Sequence, residues 1–551
     1  MCSAPVVELS TESTQVSAAM TGSNGNGKHA NGAGSGVEPK ASVAAPHDPA
    51  FKFVVVDAPD SYPGRNEEPD ITWFATLMTY FTFIVVIVIG HLRDFFGRQL
   101  GRSRYLDSTA VRKGYAPLFK SWENFYTRRL YHRIQDCWNR PICSAPGGRI
   151  TVMERESHDG MKTLKVTDRT KRMLNLGSYN YLGFADDWQA TCRDEVMPVL
   201  DKLPVACATN RLDYGTTAVH RELEKLVARF LGTEDAIVFN MGFGTNATTV
   251  PALVGKGSLV VSDSLNHMSI VSGCRAAGAH IRVFKHNDAN DLDQVLREAV
   301  VMGMPRTRRP WRKIVVMVEG IYSMEGEICD LKTIVATSKK YKAYVYLDEA
   351  HSIGALGKTG RGACEYCGVD TKDVDIMMGT FTKSFGGMGG YIAGSKALVN
   401  HLRIKCAGMV YHNSLSPVVA QQVLTALRII MGEDGTGIGA AKLLALQENS
   451  NFVRSRKLED MGLHVYGDYN SPVIPVMLYV PAKIAAFSRE CYDRGLAVVV
   501  VGFPATSLNT GRTRICVSAG HTREDLEEAM TKLDQVVEKC FLRYGRNAFG
   551  A

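Results

Sequence analysis

The pattern of apolar positions changes at about residue 165, where short β-rich runs begin to alternate with helix-like stretches. This alternation predicts an α/β domain with a largely parallel sheet. The runs are Ala236–Asn240, Leu259–Ser262, His280–Phe284, Ile314–Val318, Tyr344–Leu347, Asp375–Met378 and Tyr391–Ala393. After Pro417 a long helical stretch leads to an α+β region that ends in an amphipathic helix near Glu524–Tyr544. We therefore expect a large sheet domain over residues 166–420 and a smaller α+β domain over residues 421–551.

A different pattern occupies residues 71–90. Ile71 to Gly90 contains 20 residues without a charge, which is about the length that a membrane-spanning helix needs. The preceding segment is acidic, the following one is basic, and the positive-inside rule then predicts a cytosolic catalytic domain. A buried core helix or an interfacial helix is the alternative for this segment.

The segments on either side of the apolar stretch have their own compositions. Residues 1–70 are rich in Ser, Gly, Asn and Ala over their first part and predict a disordered tail. No basic region precedes an early apolar stretch, so a cleaved signal peptide is not expected. Residues 91–165 mix aromatic and basic side chains, and we expect a juxtamembrane arm along the lipid surface.

Charge and cysteine content argue against a nucleic-acid-binding protein and against a metal site. The 551 residues carry a formal net charge of +8, and the segment after the apolar stretch is strongly basic. No recognisable nucleic-acid module accompanies that charge, so nucleic acid is not an expected partner. The 13 cysteines are scattered and lack paired zinc spacing. This usage indicates a reducing, cytosol-facing domain and no metal site.

One lysine carries the most specific chemical signal. Lys383 follows an apolar run in Gly379-Thr380-Phe381-Thr382-Lys383-Ser384-Phe385-Gly386-Gly387. A pyridoxal phosphate (PLP) enzyme needs an amine at a strand end to form a Schiff base, with hydroxyls such as Thr380 and backbone N–H groups for the phosphate. An exposed lysine in a glycine-rich turn is the alternative for this motif taken alone.

Further polar residues follow the predicted strands, each at a carboxyl end, where ligands bind in open α/β sheets. A glycine turn with Gly242 and Phe243 opens a helix whose N–H groups can hold a phosphate, although short glycine turns recur widely. A carboxylate at a strand end can keep a pyridinium nitrogen protonated. The strand-end residues are Gly242, Phe243, His267, Ser323, Asp348 and His351.

Together these segments resemble the α-oxoamine synthases, a family of fold-type I PLP enzymes that join an amino acid to an acyl-CoA with loss of CO2. The resemblance runs from about residue 50 to the carboxy terminus. It is carried by Gly177–Gly183, Asp263–His267, Glu319–Gly326, Asp348–Ser352 and Gly379–Gly386.

Three segments, Pro305–Trp311, Gly379–Gly386 and Phe503–Thr506, are similar to the catalytic subunit of the eukaryotic members that use L-serine and a long-chain acyl-CoA. That resemblance implies synthesis of 3-ketosphinganine, the first step of sphingolipid biosynthesis. It also implies a single-pass protein of the endoplasmic reticulum membrane. The implied partners are a related non-catalytic subunit, small regulatory membrane subunits and membrane lipid.

The resemblance assigns roles to seven side chains. They are Lys383 as the Schiff-base lysine, His267 as the ring-stacking residue, Asp348 as the pyridinium partner, His351 as the ring-hydroxyl contact, Thr380 as a phosphate contact, and Asn180 and Arg514 as substrate-carboxylate contacts. Lys383, His267 and Asp348 are the predicted catalytic residues.

The chain departs from the family pattern at two places. His412-Asn413-Ser414 stands where many homodimeric relatives carry hydroxyls that reach the neighbouring site's phosphate. This difference favours a heterodimer in which this chain makes the one working site, whereas Asn413 as a phosphate donor leaves a homodimer competent. The loop that starts at Phe503 continues Ser507-Leu508-Asn509 and lacks the family's second proline.

Two other functions compete with this interpretation. A synthase that uses glycine or alanine is usually soluble, which the apolar segment disfavours. A catalytically silent scaffold subunit is disfavoured by the intact Lys383, Asp348 and His267. The basic cluster Arg306–Lys313 is interpreted as a solvated loop, with CoA phosphates or anionic lipid as the alternative contacts.

Overall fold

The computed structural model describes residues 73–100, 115–116, 121–454 and 458–544. The predicted tail over residues 1–70 lies outside them, as does part of the predicted juxtamembrane arm. The strands of the described chain are β1 (Arg149–Glu156), β2 (Lys165–Asn175), β3 (Asp235–Phe239), β4 (Ser258–Asp263), β5 (His280–Phe284), β6 (Lys313–Glu319), β7 (Tyr344–Asp348), β8 (Ile376–Thr380), β9 (Gly390–Gly394), β10 (Val473–Tyr479), β11 (Leu496–Ala497), β12 (Val499–Val501) and β13 (Gly511–Cys516).

Helices occupy much of the remaining described chain. They are α1 (Trp73–Gln99), α2 (Ser121–Arg129), α3 (Trp188–Thr191), α4 (Arg193–Lys202), α5 (Ala218–Leu231), α6 (Gly242–Leu253), α7 (Met268–Ala277), α8 (Ala289–Met302), α9 (Leu331–Lys340), α10 (Ala363–Cys367), α11 (Lys396–Lys405), α12 (Ala407–Val410), α13 (Pro417–Ile430), α14 (Ile438–Val453), α15 (Pro481–Asp493) and α16 (Arg523–Lys539).

The large sheet has seven strands in the order β3-β9-β8-β7-β6-β4-β5. The pairs among β4 to β8 are parallel, whereas β9 runs antiparallel to both β3 and β8. All seven predicted runs coincide with these strands to within one or two residues at their ends. The central strands β4 and β8 are buried along their whole length. Burial on both faces explains why they appear as continuous apolar runs rather than alternating ones.

Helices cover both faces of this sheet. One face packs in a large core with α5, α9 and α13, to which Leu226, Ile334 and Leu427 contribute. The other face packs against α6, α7 and α11 through residues such as Val250 and Ile270. The parallel strands therefore bring their carboxyl ends to one edge, between two rigid helical layers.

The carboxy-terminal region contains a smaller antiparallel sheet in the order β10-β13-β12. A second small sheet joins the β1–β2 hairpin to β11, which runs parallel to β2. The sequence pattern did not predict this hairpin, because most of β2 is exposed and shows no apolar period. The smaller sheets are thus built from segments that precede the large sheet in the sequence and from segments that follow it.

Helix α1 contains a stretch, Thr76–Gly97, of 22 residues with mean hydropathy 1.6. In the described chain it is the one helix long and apolar enough to cross a membrane, and only 11% of its apolar window is buried. A core helix would be mostly buried, so the core-helix alternative does not fit. Asp94 near the end of α1 pairs with Arg128 and Arg129 of α2, which fixes the two helices together.

Candidate active site

Asp348 ends β7 at the carboxyl edge of the large sheet and is only 3% exposed. Its Oδ2 accepts a hydrogen bond of 2.7 Å from Nδ2 of Asn246, and its Oδ1 accepts one of 2.9 Å from the Ala350 N–H. Asn246 is oriented in turn, because its Oδ1 accepts a 2.6 Å hydrogen bond from the hydroxyl of Tyr346. These donors stabilise an ionised carboxylate at a fixed position.

The same network reaches His267, the N-cap residue of α7. Asn246 Nδ2 donates to Ser269 Oγ at 2.9 Å, and Ser269 Oγ lies 2.8 Å from His267 Nδ1. The Ser269 N–H also points to Nδ1, at 3.3 Å, so Nδ1 is an acceptor and Nε2 carries the ring proton. The surrounding protein lowers the pKa of His267 by desolvation, partly opposed by Asp348, and Lys383 lowers it further.

Glu319 ends β6 beside Asp348, with which it is in register. Its side chain is buried, and its Oε1 accepts a hydrogen bond from the main-chain N–H of His267. Desolvation, with the neighbouring Asp348 charge, raises the pKa of Glu319 well above its ordinary value. Asn246, Ser269, Glu319, Tyr346 and Asp348 together form what we call the floor of the site.

Lys383 lies in the turn after β8, at the same edge of the sheet. Its Nζ lies 5.8 Å from the centre of the Tyr179 ring and, within the described chain, makes no hydrogen bond or ion pair. Desolvation lowers its pKa to about 8, although Asp348 and Glu319 oppose that effect. A substantial fraction of the amine is therefore neutral near physiological pH and can attack an aldehyde.

The end of β8 lies close to the first turn of α6. Thr380 Oγ1 donates to the Gly389 carbonyl at 2.9 Å and lies 2.9 Å from Thr382 Oγ1. A Cβ atom at Gly242 would lie only 2.7 Å from Thr380 Oγ1. Glycine therefore lets the N-terminus of α6 approach these two hydroxyls closely, and a helix N-terminus beside hydroxyls is suited to a phosphate.

The predicted residue His351 is buried on the other side of Lys383. Its Nδ1 lies 2.8 Å from the hydroxyl of Tyr181, and its ring meets Tyr179 edge-on at 5.2 Å. Desolvation holds the pKa of His351 well below its ordinary value, and the nearby Lys383 adds to the effect. The imidazole is therefore neutral, with Nε2 left for a further contact.

Arg514 on β13 brings a cation from the smaller sheet to the same place. Its guanidinium carbon lies 4.6 Å from the centre of the Tyr179 ring, the same ring that the Lys383 amine approaches at 5.8 Å. Its Nη1 donates to the Ser323 carbonyl at 3.3 Å, so Ser323 contributes its main chain here. The buried Nε of Arg514 has no hydrogen-bond partner among the described residues. This arginine has donors left for a carboxylate ligand.

The side chain of the predicted site residue Asn180 already makes hydrogen bonds to other residues of the chain. Its Nδ2 donates to the Pro146 carbonyl at 3.2 Å and to Asp186 Oδ1 at 3.4 Å. Its Oδ1 accepts from the Ala185 N–H at 3.3 Å. The predicted contact of Asn180 with a substrate carboxylate therefore requires at least one of these bonds to open.

Apolar side chains next to the site residues along the chain are strongly exposed. They are Met241 (53%), Phe243 (46%), Leu265 (41%), Met268 (50%) and Met388 (46%), which we call the rim. Phe243 also contacts the ring of His267 edge-on at 6.1 Å. Nearby, the Nδ1 atom of His412 is buried without a hydrogen-bond partner in the described chain. Exposed apolar groups of this extent are typical of a surface that another protein covers.

The basic cluster Arg306–Lys313 lies elsewhere. It precedes β6, at the amino edge of the large sheet, where Lys313 Nζ donates to the Leu253 carbonyl at 2.7 Å. The length of β6 puts that edge about 20 Å from the carboxyl edge. This position favours the solvated-loop interpretation over a contact with CoA phosphates at this chain's own site.

Several residues of the floor were not predicted from the sequence. Asn246 lies one helical turn after Gly242, and Tyr346 lies two residues before Asp348 on the same face of β7. Those two spacings, four on a helix and two on a strand, are signals that could have found them. Glu319 and Tyr179 were part of the segments that carried the family resemblance, but no role was assigned to either.

The chain is similar to known proteins over most of its length. Residues 171–533 match the family described as aminotransferase class I and II. The chain is 55% identical to long chain base biosynthesis protein 2a of Arabidopsis thaliana, over 86% of this chain and 96% of that protein. It is 50% identical to serine palmitoyltransferase 2 of Dictyostelium discoideum, over 87% and 97%. A solved structure described as SPT with its PLP superposes with a TM-score of 0.67 at 28% identity, over 77% of this chain and 98% of that one.

Proposed function

The chain belongs to the aminotransferase class I and II family, and on that premise we propose that it is the catalytic subunit of a serine palmitoyltransferase. It is a PLP-dependent acyltransferase that condenses L-serine with a long-chain acyl-CoA and releases CO2. The product is 3-ketosphinganine when the acyl donor is palmitoyl-CoA. The observation that carries this proposal is the buried amine of Lys383, which has no hydrogen-bond partner among the described residues, at the same sheet edge as the fixed carboxylate of Asp348.

The residues present fit PLP. Gly242 lets the N-terminus of α6 approach the Thr380 hydroxyl more closely than a Cβ would allow, and the Lys383 amine and the Arg514 Nε are left without hydrogen-bond partners among the described residues. When bound, PLP supplies an electron sink for negative charge at the substrate's Cα. Lys383 would hold the cofactor's aldehyde carbon, and the N-terminus of α6, with Gly242 and Phe243, would hold the phosphate together with Thr380.

Asp348 would hold the proton on the cofactor's ring nitrogen. Because Asn246 and the Ala350 N–H fix its carboxylate, no reorganisation is needed as negative charge develops on the ring. His267 would pack on the ring face and donate from Nε2 to the substrate carboxylate. His351, with Nδ1 engaged by Tyr181, would contact the ring hydroxyl through Nε2.

Arg514 and Asn180 would bind the carboxylate of serine, and Lys383 would remove the α-proton. The lowered pKa of Lys383 suits both tasks, because the amine must be neutral to take a proton near pH 7. Arg514 has free donors, whereas Asn180 must first release a bond to Pro146 or Asp186. Arg514 is therefore the stronger of the two proposed carboxylate contacts.

We also propose that the partner is a related, non-catalytic chain that covers the rim. The exposed rim and the unpartnered His412 Nδ1 support an interface at this place. Because this chain carries His412 and Asn413 instead of hydroxyls, it would complete a neighbour's phosphate site poorly. One working site per pair of chains follows, with small regulatory membrane subunits as further partners.

Helix α1 supports a proposal of a single membrane span, with the endoplasmic reticulum as the membrane and the catalytic domain in the cytosol. Protease treatment of sealed microsomes tests this topology. We expect the protease to cleave the domain that follows Arg93 even when no detergent is present. Protection of that domain until detergent is added would mean the opposite orientation.

The activity itself is tested by product analysis. The purified protein with its partner is offered serine, glycine and alanine in combination with acyl-CoA donors of several lengths, and the products are identified by mass spectrometry. We expect 3-ketosphinganine from serine and palmitoyl-CoA as the main product. Products formed from glycine or alanine alone would favour another synthase, and no product from any pair would favour a scaffold subunit.

The heterodimer is tested by counting PLP. We compare the chain expressed alone with the chain co-expressed with candidate partners, and expect one PLP per pair of chains in the active complex. Full activity of the chain alone, with two PLP per homodimer, would reject the heterodimer.

A further inference from the structure

Glu319 is a second buried carboxyl in the floor, and the proposed function gives it no role. It is 4% exposed and ends β6 directly beside Asp348, its register partner on β7. Within the described chain its carboxyl forms no ion pair, and Arg512 pairs with Glu325 instead. A buried carboxyl next to a catalytic carboxylate, without a cation of its own, calls for an explanation.

The contact made by Glu319 indicates what it does. Its Oε1 accepts the main-chain N–H of His267, and its own N–H donates to the Tyr322 hydroxyl at 3.2 Å. His267 is the residue from which α7 starts, and Ser269 holds its side chain. Glu319 therefore fixes the main chain of His267, while Ser269 fixes its ring.

The charge state of Glu319 follows from its neighbours. Two carboxylates side by side in a buried site cannot both be ionised at low cost. Asp348 receives two hydrogen bonds, from Asn246 and Ala350, whereas the carboxyl of Glu319 receives one from His267. The floor therefore offers more hydrogen-bond donors to the carboxyl of Asp348 than to that of Glu319.

The surroundings of Glu319 have opposing effects on its pKa. Desolvation raises its pKa most, and the charges of Asp348 and Glu325 raise it further. The His267 N–H and the Lys383 cation oppose these effects but do not reverse them. The net effect favours the protonated carboxyl of Glu319, whereas the hydrogen bonds that Asp348 accepts suit a charged carboxylate.

We propose that Glu319 is a positioning residue that acts as a neutral carboxylic acid, holding the main chain of His267 in place and leaving the negative charge to Asp348. This inference rests on the proposed function only in taking PLP as the group on which His267 packs. Accepting the hydrogen bond from the His267 N–H requires an acceptor atom on Glu319 but no negative charge.

Two substitutions separate the role of Glu319 as a hydrogen-bond acceptor from any effect of a negative charge on it. Glu319→Gln keeps an acceptor for the His267 N–H and is neutral, so we expect kcat and the Kd for PLP within about threefold of wild type. Glu319→Ala removes the acceptor and lets His267 shift. A displacement of about 1 Å can cost about 100-fold in rate, so we expect a fall in kcat of about that size and a PLP Kd about tenfold higher.

A double-mutant cycle tests whether Glu319 acts through His267. In a His267→Ala background, Glu319→Ala should change the PLP Kd by less than about twofold. The apo and PLP-bound melting temperatures of every variant are recorded, so that loss of fold is distinguished from loss of positioning. If Glu319→Ala raises the PLP Kd as much in the His267→Ala background as in the wild-type background, the proposal is overturned.

The charge is tested by the pH titration of the bound cofactor's absorbance. Removing an ionised carboxylate near Lys383 would shift the midpoint to lower pH, so an unchanged midpoint in Glu319→Gln is expected. A shifted midpoint, or a Glu319→Gln as impaired as Glu319→Ala, would show an ionised Glu319 and overturn the proposal. Wild-type protein that does not bind PLP would instead reject the proposed function, and this inference with it.

Discussion

The floor and the rim of the site differ in how complete they are. In the floor, Asp348, Asn246 and Ser269 are buried and satisfy one another by hydrogen bonds within this chain. In the rim, Phe243 and Met268 are about half exposed and have little of the chain around them. The floor is therefore built by this chain alone, whereas the rim is open to solvent, and the proposed function assigns its covering to a partner chain.

This difference suggests that the floor holds charge during the reaction and that the rim serves to exclude water. Residues that hold charge must be preorganised, because a low-dielectric site makes each misplaced dipole costly. Residues that only exclude water can come from a partner, since apolar contact needs no directional bond. We expect substitutions in the floor to damage chemistry itself, and substitutions around the proposed phosphate contacts near the rim to damage cofactor retention.

The largest effect is expected for Lys383→Ala. The substitution removes the only amine that the proposal places at the cofactor, so the absorbance of the covalently bound cofactor and the formation of 3-ketosphinganine should both disappear. Lys396→Ala, an exposed lysine at the start of α11, is the matched control and should behave as wild type. Undiminished turnover in Lys383→Ala would remove the assignment.

Asp348→Asn comes next. The variant should still bind PLP but lose α-proton abstraction by a factor of about 100 to 1,000, as expected for removing a preorganised electrostatic contact. Stopped-flow absorbance after serine addition measures this step. The control is Asp375→Asn at the amino edge of the sheet, where the carboxylate accepts the Val345 N–H. Normal proton abstraction in Asp348→Asn would refute its role.

The pH dependence of PLP capture tests Lys383 without substitution. Desolvation lowers the pKa of Lys383 to about 8, and only the neutral amine attacks an aldehyde. The capture rate of the cofactor-free protein should therefore rise about tenfold between pH 7 and pH 9 and then level off. A rate that keeps rising beyond pH 9.5 would indicate an ordinary, solvated lysine.

The smallest effect is expected for Gly242→Ala. The new Cβ would lie 2.7 Å from Thr380 Oγ1, so Thr380, a proposed phosphate contact, must move. We expect the Kd for PLP to rise about tenfold with kcat at saturating PLP nearly unchanged. Gly255→Ala is the control, because its Cβ would meet only the Ala277 carbonyl at 3.8 Å. Equal PLP affinity in the two variants would place the phosphate elsewhere.

The sequence predicted the strands and the strand-end residues well for a physical reason. Strands buried on both faces are continuous apolar runs, and the polar residue that ends each run marks the edge where ligands bind. Lys383, Asp348 and His267 could be named on that basis, and the structure brings all three to the same edge.

Contacts across the fold could not be predicted in the same way. The hydrogen bond from Asn246 to Asp348 joins residues 102 positions apart, and the ring contact of Tyr179 with Arg514 joins the segment after β2 to β13. The pairing of β2 with β11 also joins distant parts of the chain, Leu174 with Leu496, and leaves no local period. Such contacts are set by tertiary packing rather than by local pattern.

The central claim is that Lys383, held at the edge of the floor, carries the cofactor. Borohydride reduction of the PLP-loaded protein, followed by peptide mass spectrometry, tests it most directly. We predict a pyridoxyl mass on the peptide that contains Lys383 and on no other lysine of the chain. A modification at a different lysine, or none in protein that makes 3-ketosphinganine, would contradict the account.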